Sequence, residues 1–90
     1  MAANRFSARE WGHYRHCRQR AQERFGLALT KPQYRQLTGR IWRGQVDPVP
    51  APRGAPGSRW AVELEGTPMV AVFRNGLVVT LLLPAQAAGG

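Results

Sequence analysis

The amino-acid sequence predicts an α+β domain in which two N-terminal helices pack on one face of a three-stranded antiparallel meander. Three observations carry that prediction. Two Ser/Thr-x-x-Glu/Gln capping boxes each open a run of helical period in the first half of the chain. The last third alternates with a period of two. An Asn75-Gly76 pair between two such runs is the strongest short signal for a tight hairpin.

The first helix is predicted over 8–25. Ser7 and Glu10 form its capping box, and Phe6 and Trp11 occupy the positions of a hydrophobic staple. Trp11, Tyr14, Ala21 and Phe25 then recur at helical spacing, and Gly26 stands where a left-handed C-cap is expected. The second helix is predicted over 31–43. Thr30 and Gln33 repeat the box, Pro32 sits in the first turn where its missing N–H costs little, and Tyr34, Leu37 and Ile41 mark one face. Gly39 weakens this helix and Gly44 ends it.

Residues 44–58 hold four prolines and three glycines, which predicts a loop without regular structure. Strands are expected at 59–65, 69–74 and 77–83. Pro84 closes the last, and 85–90 should fray, leaving a single domain over 1–84. Two-residue turns at Gly66-Thr67 and Asn75-Gly76 would set Val62 opposite Ala71, Trp60 opposite Phe73, Phe73 opposite Val78 and Ala71 opposite Thr80. One sheet face then carries Trp60, Val62, Leu64, Met69, Ala71, Phe73, Val78 and Leu82, and packs on the helices. The other carries Glu63 and Glu65 together with Val70, Val72, Leu77, Val79 and Leu81. Five aliphatics on an uncovered face exceed what a monomer usually exposes, which predicts a homodimer or a target interface there unless the 44–58 loop folds across it.

Thirteen basic residues against five acidic ones give a net charge of +8, and all but Lys31 of the thirteen are arginine. Such a surface concentrates polyanions, and the planar guanidinium can grip a phosphate with two hydrogen bonds. At 100° per residue, Arg9, His13, His16, Arg20 and Arg24 fall within an arc of about 80° on the first helix. Like charges at this spacing repel, and a phosphate backbone would relieve them. A solvated polar face is the plainer alternative. Arg18 stands apart, directed into the apolar arc. It either snorkels out between helix and sheet, pairs with Glu10 or a strand glutamate, or lies in a cleft beside the sheet.

Cys17 is the single cysteine, so an internal disulfide and a thiolate metal cluster are excluded. His13 and Cys17 are two potential ligands, too few for a metal site, and no metal or other cofactor is expected. No phosphate-cradling glycine loop, zinc-hydrolase motif or nucleophile elbow is present. No apolar run reaches the length of a membrane span and the N-terminus lacks a signal-peptide core, which together predict a cytoplasmic protein with no membrane partner.

The stretch His16-Cys17-x-x-Arg20-x-x-x-Arg24-Phe25-Gly26-Leu27 resembles the opening helix of small proteins of proteobacteria and their phages. In those, a His-Ala-x-x-Arg-x-x-x-Arg helix precedes a second helix and a three- or four-stranded antiparallel sheet; here Cys17 replaces the alanine. The α-α-β-β-β order over residues 13–84 is similar to the RelE-like and colicin-like ribonuclease fold. That resemblance implies a metal-independent endoribonuclease toxin, with His16 as general acid or base, Arg20 and Arg24 stabilising the pentavalent phosphate and Thr80 nearby on the sheet. Size, single-domain build and lack of a catalytic motif are also similar to phage-encoded anti-CRISPR inhibitors. These bind a nucleoprotein complex of the bacterial host, such as a CRISPR effector, and block it stoichiometrically. The sequence therefore leads to a basic protein that binds nucleic acid or a nucleic-acid-handling complex through Arg9, His13, His16, Arg20 and Arg24. An endoribonuclease and a DNA-binding accessory protein are the alternatives.

Overall fold

The computed structural model describes residues 6–88, so the first five residues of the predicted domain and the last two of the predicted frayed tail lie outside the described residues. The elements run α1 (Ala8–Phe25), α2 (Lys31–Trp42), β1 (Asp47–Val49), β2 (Ser58–Leu64), β3 (Thr67–Arg74), β4 (Leu77–Leu82) and α3 (Pro84–Ala88). The four strands form one antiparallel sheet in the order β1-β2-β3-β4. The chain is α+β as predicted, with one more strand and one more helix than expected.

Both capping boxes close. Ser7 Oγ accepts from the Glu10 N–H while Glu10 accepts from the Ser7 N–H, each at 3.1 Å, and Thr30 with Gln33 does the same for α2. Phe6 and Trp11 meet edge to face at 6.0 Å, which is the staple. Tyr14, Cys17 and Ala21 form the buried face of α1, and Tyr34, Leu37 and Ile41 that of α2. They pack with Leu29 against Val62, Leu64, Met69, Ala71, Val78 and Leu81 of the sheet.

The first hairpin turns one residue earlier than predicted. Glu65 and Gly66 take positive φ angles of 50° and 77°, matching the 52° and 84° of Asn75 and Gly76. Both are two-residue turns of the kind whose twist suits a hairpin, and glycine supplies the second position in each. Val62 is therefore opposite Met69, Trp60 opposite Ala71 and Ser58 opposite Phe73. This corrects the predicted pairs by two residues. An even slip keeps every side chain on its face, which is why Trp60, Val62, Leu64, Met69, Ala71 and Phe73 still turn toward the helices.

The second hairpin opens as expected, with Phe73 opposite Val78, but the register shifts between Val72 and Phe73. Thr80 then pairs with Val72, and Leu81 rather than Thr80 pairs with Ala71. Val79 is the extra residue of a β-bulge, which turns Val78 and Leu81 to the same side. Leu81 is fully buried in the core, where Leu82 was expected.

The predicted partner face is thereby corrected as well. Leu81 does not belong to it, Val70 and Val72 are buried within the chain at 5% and 8% exposure, and Leu77 and Val79 are half-buried. Over β3 the cover comes from the segment expected to fray. Pro84–Ala88 forms α3 against β3, with Ala87 buried and its carbonyl accepting from Arg59 at 3.3 Å. Leu83 opens this turn, its N–H bonded to Gln86 Oε1 at 2.9 Å. The loop expected over 44–58 also contains structure. Asp47–Val49 pairs with Arg59–Ala61, and Pro48 is tolerated because β1 is a sheet edge.

Candidate functional site on the first helix

Helix α1 lies along β4, the second edge of the sheet, so its polar residues divide into two flanks. The predicted stripe is the flank toward β4. Arg9 donates through Nη2 to the carbonyl of Asn75 in the hairpin turn. His16 Nε2 lies 3.2 Å from Thr80 Oγ1, a hydrogen bond whose direction follows the imidazole tautomer. Arg24 Nη1 donates to the Leu81 carbonyl at 2.5 Å. Arg20 turns instead along the helix and pairs with Glu23 Oε1 at 2.5 Å. His13 is half-buried on the same flank. The five residues share one side of α1, but they are not a bare ridge. Three of them hold the sheet edge.

Burial holds the His16 imidazole below the ordinary histidine value, with the Arg20 and Arg24 guanidiniums and then His13 adding to the effect and Glu23 opposing it. A proton here would be one more positive charge in a cationic neighbourhood. Cys17, one turn below His13, is fully buried and its thiol donates to the Val78 carbonyl at 3.6 Å. Burial pushes its pKa up to about 12, so it is neither a nucleophile nor a ready metal ligand at neutral pH. Tyr34 donates to the same carbonyl at 2.7 Å, its own ionisation suppressed chiefly by burial. Among the described residues, no three of His, Cys, Asp and Glu come together in a way that could hold a metal ion.

The opposite flank faces a groove between α1 and the chain that leads into α2. Arg15 and Arg18 stand exposed on its α1 wall, Tyr14 and Leu29 contribute to the lining together with His16 of the predicted stripe, and Lys31 lines the other side. This settles the place of Arg18. It lines a groove, but one beside the α1–α2 connection and not beside the sheet, while Glu10 pairs with Arg35 at 3.6 Å. The Lys31 ammonium sits 4.3 Å from the Trp11 ring centroid, and Trp11 stacks in turn on Tyr14 at 5.5 Å. Sequence reasoning did not place Arg15 or Lys31 in a site. The helical wheel held the signal, since Arg15 and Arg18 lie together on the other side of Tyr14 from the stripe.

No family model, curated protein or solved structure matches this chain. No helix among the described residues is long and apolar enough to cross a membrane.

Proposed function

We propose that this protein is a non-catalytic nucleic-acid-binding domain that presents α1 to a phosphate backbone. The observation that carries the reading is uncompensated charge. Among the described residues, only Arg20 and Arg35 meet a carboxylate, within a chain of net charge +8. A field of this sign, built almost wholly from arginine, favours a polyanion over any neutral partner. Arg9 is exposed and His13, His16, Arg20 and Arg24 are half-exposed, so all five keep surface for such contact, although Arg9, His16 and Arg24 also bond toward β4 and its turn. The test is fluorescence anisotropy with labelled RNA and DNA oligonucleotides across a salt series. Binding whose logarithm falls linearly with the logarithm of salt is the expected result. No binding at low salt would defeat the reading. Blocking a host nucleoprotein machine such as a CRISPR effector is the biological form we attach to it, read out as phage survival in cells with and without an active CRISPR system.

One observation favours a second reading. The contact between His16 and Thr80, with Arg20 and Arg24 on the same flank, supports a metal-independent endoribonuclease in which a neutral His16 takes the 2′-hydroxyl proton. Cleavage of RNA in the presence of a chelator, lost in His16→Ala, would favour it over simple binding.

A further inference from the structure

We infer that the groove between α1 and the α1–α2 connection is the seat of the nucleic-acid backbone, gripped by Arg15 and Arg18 from one side and Lys31 from the other. This rests on the nucleic-acid reading above and moves its centre from the predicted stripe to the opposite flank.

Four features of the groove support the assignment. Arg15 and Arg18 are exposed and have no hydrogen-bond or ion-pair partner among the described residues, in contrast to Arg9, Arg20 and Arg24. They stand three residues apart on one helix, a spacing at which like charges repel and an anion between them is favoured. Lys31 lines the other side of the groove, and its ammonium rests over the Trp11 ring at the groove's margin, unpaired with any carboxylate among the described residues. The single acidic residue of the lining, Glu23, is already engaged by Arg20 at 2.5 Å and by Gln19 at 3.0 Å, which masks the one charge that would repel phosphate.

Size points to a strand of several nucleotides. The α1 wall runs from Tyr14 to Glu23, roughly 15 Å at 1.5 Å per residue. That length spans about four stacked nucleotides at ~3.4 Å each. Two guanidinium forks on one wall and an ammonium on the other can then contact successive phosphates, a division of labour that suits arginine's bidentate geometry and lysine's compact charge. Such contacts fix position without reading sequence.

The experiment compares two double variants that remove the same charge from different places: Arg15→Ala with Arg18→Ala, and Arg40→Ala with Arg53→Ala, whose side chains are exposed away from the groove. Each is titrated with labelled single-stranded RNA, single-stranded DNA and duplex DNA over a salt series, with circular dichroism melting to confirm the fold. Loss of the groove pair should weaken binding on the order of tenfold and lower the salt slope by about 2, one per phosphate contact. The control pair should change affinity far less. Amide chemical-shift changes on adding RNA should concentrate in 14–23 and 28–32. Equal losses in the two variants, or shift changes confined to the β4 flank, would overturn the groove while leaving the nucleic-acid reading standing. Failure of the wild-type protein to bind any of the three probes would remove both.

Discussion

On the flank of α1 that faces β4, Arg9, His16 and Arg24 reach Asn75, Thr80 and Leu81. On the flank that faces the α1–α2 connection, Arg15 and Arg18 reach no partner among the described residues. The two flanks share a helix, a residue type and a sign of charge. What separates them is the neighbour. A sheet edge exposes carbonyls that need donors, and it draws the cations of the near flank into a structural role that also protects the edge from pairing with other chains. The far flank borders only a groove, so its charge stays available to an external anion. A cationic ridge on a helical wheel is thus ambiguous until it is known what lies beside the helix.

This contrast can be broken at several levels. The near flank depends on the bulged register of β4, and that is where the largest effect is expected. Leu81→Ala should cost about 2–5 kcal/mol by chemical denaturation, as for a filled core position, while Leu82→Ala should cost clearly less. Similar losses at both sites would mean that β4 has no bulge and that the near flank is misplaced.

Next in size is the comparison of arginines. Arg24→Ala leaves the Leu81 carbonyl without its charged donor and should cost about 1–2 kcal/mol. Arg18→Ala should stay within about 0.5 kcal/mol, because nothing in the fold leans on it. Urea midpoints of the two variants, measured side by side, would erase the distinction between the flanks if they proved equal.

The smallest effect is a pH dependence. The folded pKa of His16 is lowered, so the unfolded chain binds the proton more readily. Stability should therefore fall as pH drops from about 7 through the folded value, and the contribution should vanish above the unfolded value of about 6.5. Between pH 5 and pH 8 the urea midpoint of the wild-type protein should rise, and His16→Asn should flatten that rise. An unchanged slope in the variant would detach His16 from the β4 edge.

Much of this architecture was legible in the sequence because its signals are local. The capping boxes at Ser7 and Thr30, the cap at Gly26 and the turn at Asn75-Gly76 each involve a few adjacent residues, and α1 begins and ends where they place it. The turn at Glu65-Gly66 was missed because glutamate rarely takes a positive φ, and Gly66-Thr67 offered a competing placement. The bulge at Val79 leaves no mark in a run of aliphatics, so uninterrupted alternation put Leu82 in the core and Leu81 outside. α3 is short and alanine-rich, with a stability that comes from docking on β3 and not from propensity. At the site, the wheel found the stripe but could not show that β4 would occupy it. Arg18 looked anomalous because the apolar arc included Trp11 and Phe25 beside Tyr14 and Ala21, whereas the buried face is Tyr14, Cys17 and Ala21.

The sealed position of Cys17 makes it a natural clock for the seam between α1 and β4. Its sulfur is inaccessible and protonated while the helix lies on the strand, so a thiol-reactive dye can label it only during excursions that lift the two apart. The labelling rate in mild conditions would report how often that seam opens, with no engineered probe and no second cysteine to confuse the signal.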